Sequence, residues 1–204
     1  MTEQRKLPEA GARKAYFNRY IVAGNHTVRG FEGAPDKDAP QIILGWELVE
    51  DFTAEETPRP MWIKPFGNGN INDYDTEKSK KVKWMTNMFL DYDMEHGDPS
   101  DYLGQGCRVI IKHNAGKGQH AGKTFANFSD VRDFTGGLPP ISQPPVYFDF
   151  YNPTKETLEK LFPWEVEFLQ KANDYKGSKL EALIDGNSSV DTESAAECQV
   201  DAGF

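Results

Sequence analysis

Apolar and polar residues alternate with a period near two over three stretches of the first third of the chain, the spacing of half-buried strands. In residues 14–22 (KAYFNRYIV), Ala15, Phe17 and Ile21 share one face and Tyr16, Asn18, Tyr20 and Val22 the other, while Arg19 interrupts the apolar side. Residues 41–49 (QIILGWELV) put Ile42, Leu44, Trp46 and Leu48 on one face and form the cleanest predicted strand. A third strand, residues 61–66 (MWIKPF), contains Pro65, which has no N–H to donate and so marks an edge or an end.

The period then lengthens. Asp75 or Thr76 can cap a helix running to about Tyr92, with Val82, Met85 and Phe89 on one face and Lys78, Lys80, Lys81 and Lys83 around the others. Residues 107–113 (CRVIIKH) and 123–128 (KTFANF) return to strand character and read as a hairpin whose long tip spans residues 114–122. After the proline-rich residues 139–145, Asn152-Pro153-Thr154 opens a helical segment carrying Leu158 and Leu161, and Pro163 starts a second helix reaching Asn173. From about Lys176 no periodicity remains, and the tail is expected to be disordered.

Five strands with a helix between the third and fourth make a mainly β (β+α) chain on the plan of the OB fold, a small five-stranded barrel that binds single strands or oligosaccharides. The predicted organisation is a barrel domain over residues 1–150, a helical extension packed on it over 151–176, and a disordered acidic tail over 177–204.

Charge sharpens this division. The formal net charge of −9 argues against a surface that is basic throughout, but residues 177–204 hold one base (Lys179) and six acids, leaving the rest near balance at 22 bases against 26 acids. Local basic patches are therefore compatible with the composition. Cys107 lies in an apolar strand and Cys198 in the polar tail, so a disulfide between them is not expected and a reducing compartment fits. The N-terminus lacks the apolar core of roughly 7–15 residues that a signal peptide needs, so a cytoplasmic protein with no membrane partner is expected.

Catalytic motifs fail on spacing. Before Gly122-Lys123-Thr124, Gly116 leaves five residues and Gly118 three where a phosphate loop needs four, and a strand follows where that loop needs a helix. His26, His96, His113 and His120 form no zinc spacing with each other or with the cysteines, and no Gly-x-Ser-x-Gly elbow is present. A non-enzymatic protein without a cofactor is expected. What the strands do carry is aromatic residues interleaved with bases, the combination on which nucleobases stack while phosphates are neutralised. Tyr16, Arg19 and Tyr20 lie on the first strand; Trp62, Lys64 and Phe66 form an alternate row on the third; Lys112, Lys117, Lys123 and Phe125 surround the hairpin loop. The Trp62 row is the preferred stacking platform. Separately, Asp191, Glu193, Glu197 and Asp201 lead to a terminal Phe204, an apolar last residue that suits docking to a partner.

Several of these pieces resemble bacteriophage-encoded single-stranded DNA-binding proteins of the OB fold. The similarity rests on residues 15–24 as the opening strand, residues 42–48 with Trp46-Glu47, the lysine-rich helix with Ser79-Lys80, and the pairing of residues 104–113 (GQGCRVIIKH) with 122–128 (GKTFANF). It covers about residues 8–175. The resemblance implies a protein that coats single-stranded DNA in replication, recombination and repair. It further implies strand contacts from Trp62, Lys64, Lys112, Lys123 and Phe125, and recruitment of replication or recombination enzymes through the tail and Phe204. Self-association is compatible with it. Two departures are that Tyr16 stands where a basic residue is usual and Arg19 where a small or apolar one is. A second reading keeps the fold but makes the chain an adaptor that binds such an enzyme and has little affinity for DNA.

Overall fold

The computed structural model describes residues 6–30, 34–52, 60–63 and 70–186, with the backbone alone for 60–63 and Asn70. Seven strands form one sheet: β1 (Gly11–Val28), β2 (Lys37–Phe52), β3 (Pro60–Ile63), β4 (Asn70–Asn72), β5 (Gly106–Ala115), β6 (Thr124–Asp133) and β7 (Val146–Asp149). Six are antiparallel along the path β3-β2-β1-β5-β6, with β4 also on β2, while β7 joins β1 in parallel. The helices are short: α1 (Lys80–Met88), α2 (Lys155–Leu158), α3 (Pro163–Leu169) and α4 (Lys179–Ile184).

The expected closed barrel is not formed by hydrogen bonds: among the described residues β3 and β6 end the path without pairing to each other. Helix α1 packs against both β4 and β6 instead. It starts later than expected because Ser79, not Asp75 or Thr76, is the cap, its side chain accepting from the Val82 N–H at 3.1 Å, and it ends at Met88 instead of near Tyr92 because Phe89 turns extended. Lys81 is also not on a solvated face. It is buried between Asp73 and Asp75, which satisfy its ammonium.

Both faces of the central strands are covered, by two separate cores. The inward face of β1, β2, β5 and β6 closes on α1 through Phe17, Leu44, Trp46, Trp84, Met85 and Phe128, with Trp46 stacked on Phe128 at 4.6 Å between centroids. The outward face of β1 and β2 carries Ile21, Ala23 and Ile43 against Phe148 and Phe150 of the β7 region and Phe168, Leu169, Ala172 and Leu180 of the C-terminal segment.

A single extra residue divides β1 between these cores. Phe17 pairs with Trp46 and Arg19 with Gly45, so Asn18 is a bulge that reverses which side chains face inward. Before it Ala15 and Phe17 point in; after it Tyr20 does, while Arg19, Ile21 and Ala23 point outward. The uninterrupted alternation expected for residues 14–22 is corrected accordingly. A second irregularity lies between Val22 and Asn25, where Gly24 has φ +78°, and a Cβ there would come within 2.9 Å of Asp174 Oδ1.

The edge of β1 is shared in sequence. Residues up to Tyr16 pair with β5, and Arg19 to Val22 pair with β7. The folded segment also runs further than expected: residues 177–186 are not a disordered tail, because Ser178 caps α4 and Leu180 is fully buried in the outer core.

Candidate nucleic-acid interface

The ten residues predicted to contact a strand separate into three groups. Arg19 is buried, 4% exposed, and its Nε and Nη2 hold Glu165 of α3 at 2.8 and 2.5 Å. Nη2 also donates to the Lys160 carbonyl at 3.0 Å, and the guanidinium lies 4.1 Å from the Phe162 ring centroid. Gly45 opposite makes room: a Cβ there would sit 3.2 Å from Arg19 Cβ. With its charge met by a buried carboxylate, Arg19 is a structural anchor and not a phosphate contact. Tyr20 is likewise removed from any ligand, being 6% exposed in the inner core with its ring 5.6 Å from that of Tyr147; burial, with Asp73 and Asp98 nearby, raises its hydroxyl pKa. Tyr16 is half-buried, and its hydroxyl donates to the Pro139 carbonyl at 2.6 Å.

The preferred platform lies mainly outside the described residues. The Trp62 backbone pairs with Glu47 in β3, and its side chain, with Lys64 and Phe66, lies outside the described residues. So do Asp191, Glu193, Glu197, Asp201 and Phe204 of the tail. Nearby, the proline-rich segment straps the middle of the outward sheet face. Ser142 N–H donates to buried Glu47 at 2.9 Å, Asn18 Nδ2 reaches the same carboxylate at 3.0 Å, and Leu138 lies over Gly106.

The third group is brought together on the hairpin of β5 and β6. Cys107, Val109 and Ile111 face the core, so alternation turns Arg108, Ile110, Lys112 and Asn114 outward. A bulge at Ser129 keeps Phe128 and Val131 both inward on β6, leaving Phe125, Asn127, Asp130 and Arg132 outward. The register sets Phe125 opposite Asn114 and Lys112 opposite Asn127. Phe125 is 41% exposed, and His120 from the tip meets its ring edge-on at 5.7 Å. Lys112, Lys117 and Lys123 are exposed, and among the described residues no carboxylate lies within ion-pair distance of any of them.

The hairpin thus carries an exposed apolar ring and three cations without an acid partner among the described residues, residue types that can stack a base and neutralise phosphates. Residues that sequence reasoning did not select also belong to the surface. Lys14, Arg108 and Arg132 stand in one cross-strand row on β1, β5 and β6, and Arg108 lies over the Phe134 ring. The signal was the alternation Arg108, Ile110, Lys112 within a strand already recognised. No family model, curated protein or solved structure matches the chain.

Proposed function

We propose that this protein binds single-stranded DNA, without catalysis and largely without sequence choice, on the outward face of the β5–β6 hairpin. The observation that carries this reading is that one hairpin exposes Phe125 together with Lys112, Lys117 and Lys123, the lysines having no acid partner among the described residues. An exposed large aromatic gains from a ligand that covers its face, and every nucleobase has one.

The topology supports placing that surface on an OB-type scaffold. The path β3-β2-β1-β5-β6, with α1 inserted between β4 and β5, supports an OB-type reading in which the hydrogen-bonded pair that would close the barrel is missing among the described residues. On this reading the hairpin tip is one of the loops with which such folds grip a strand. Action in replication, recombination and repair of phage DNA, with enzyme partners engaged by the acidic C-terminus, is part of the same proposal.

Titration of a fluorescent oligo-dT strand at low salt tests it. Binding should exceed that of a duplex of equal length, and log K should fall against log salt with a slope of about −0.7 for each phosphate neutralised. Equal affinity for duplex, or no binding at low salt, would remove the reading and leave the adaptor as the better account.

A further inference from the structure

Arg108 is exposed on the outward face of β5, beside the segment that covers Gly106. The register sets Lys14, Arg108 and Arg132 side by side on three neighbouring strands. Like charges directly opposite one another across strands repel. Two of the three are compensated locally, Lys14 by Glu50 at 2.7 Å and Arg132 by Asp130 at 2.7 Å. Arg108 is exposed and has no carboxylate within ion-pair distance among the described residues.

What holds Arg108 is an aromatic ring. Its guanidinium lies 5.0 Å from the centroid of Phe134, a contact that leaves its N–H donors without a protein acceptor among the described residues. Phe134 is itself half-buried, near Gly106, where an added Cβ would come within 2.5 Å of Leu138 and 3.8 Å of Phe134. An unspent fork on an open surface is suited to bidentate recognition of a phosphate.

We propose that Arg108, held over Phe134, is a second contact station for the bound strand, taking a phosphate, and that the strand runs along the outward face of β5 from Phe125 to Arg108. This rests on the proposed binding of single-stranded DNA. From Asn114, opposite Phe125, to Arg108 is six residues of strand, about 20 Å at about 3.3 Å each. At about 3.4 Å per stacked nucleotide that is about six nucleotides, within the roughly 4–16 engaged by one OB domain. Lys112 stands between the two stations on the same face, so the order along the hairpin is the Phe125 ring on β6, then Lys112, apolar Ile110 and Arg108 on β5.

Length dependence separates this station from the hairpin tip. Full-length wild type, Arg108→Gln and Arg108→Lys are titrated with oligo-dT of about 3 and about 12 nucleotides, lengths chosen below and within the span of one domain. Arg108→Gln should weaken the longer strand about tenfold and leave the shorter one unchanged, since only the longer strand reaches a charge-assisted contact at residue 108. Its salt slope should fall by about 0.7, and Arg108→Lys should restore that slope while recovering part of the affinity. Wild-type affinity of Arg108→Gln for the longer strand would overturn the station, as would an equal loss at both lengths. If wild type binds neither strand, the binding proposal fails with it, a result visible before any variant is compared.

Discussion

On β1, outward side chains on the two sides of Asn18 meet opposite surroundings. Arg19, Ile21 and Ala23 are covered by β7 and the C-terminal helices, and Arg19 spends its charge on Glu165 inside the protein. Lys14 lies in the row with Arg108 and Arg132, where the sheet stays open and the neighbouring hairpin presents Phe125 and three lysines without acid partners among the described residues. The same residue types, arginine beside aromatic, thus build an anchor at one end of the face and the proposed ligand surface at the other. What separates them is whether a carboxylate and an apolar cover arrive from elsewhere in the chain.

The largest expected effect lies in the covered half. Glu165→Gln leaves Arg19 charged and buried without its counter-ion, which should cost about 3–5 kcal/mol in urea unfolding while leaving strand affinity per folded molecule unchanged. A loss of affinity without loss of stability would show that Arg19 faces the ligand after all.

In the open half the pattern should reverse. Phe125→Ala should weaken oligo-dT binding by about 1–3 kcal/mol, the value of one stacked base, with little change in thermal stability because the ring is already substantially exposed. A large drop in melting temperature with unchanged affinity would place Phe125 among the packing residues.

The smallest effect concerns pH and again marks the covered half. His26 stacks on Phe168 at 4.1 Å between centroids, with Nε2 3.1 Å from the Ala23 carbonyl, and burial lowers its pKa below the usual 6.5. A depressed histidine pKa means that the folded state favours the neutral ring. Its contribution is therefore fully present above about pH 6.5 and is lost as pH falls from there through the lower folded value. Urea midpoints at pH 7 and 5.5 should show a drop for wild type that is smaller in His26→Gln. Equal drops in both proteins would assign the pH dependence to other groups.

Much of the scaffold was legible because its signals are local. The inward row Ile42, Leu44, Trp46 and Leu48, the helix face of Val82 and Met85, and the β5–β6 hairpin all follow from alternation or helical period. The errors arise where distant contacts decide. Nothing in residues 14–22 announces the Asn18 bulge, and the partner that buries Arg19 lies 146 residues away. Strand β7 is four residues long and follows a run of prolines, too short for alternation to speak. Helix α4 did leave a mark, since Ser178 and Glu181 have the spacing of a capping box: the Ser178 hydroxyl accepts from Glu181 N–H at 3.1 Å, and the Glu181 carboxylate takes the Gly177 N–H at 2.6 Å. At the candidate site, Lys112, Lys117, Lys123 and Phe125 are selected from residue type around the predicted hairpin loop, and the alternation Arg108, Ile110, Lys112 already turns Arg108 outward, whereas its row with Lys14 and Arg132 emerges only once the register aligns three strands.

Photocrosslinking of wild type to an oligonucleotide carrying 5-bromodeoxyuridine, followed by peptide mapping, tests the contrast between the two halves most directly. Adducts are predicted on the β5–β6 hairpin at Phe125 and its neighbours. Adducts confined to α3 and β7, or a hairpin free of adducts while the strand is bound, would contradict the assignment of the open half as the binding surface.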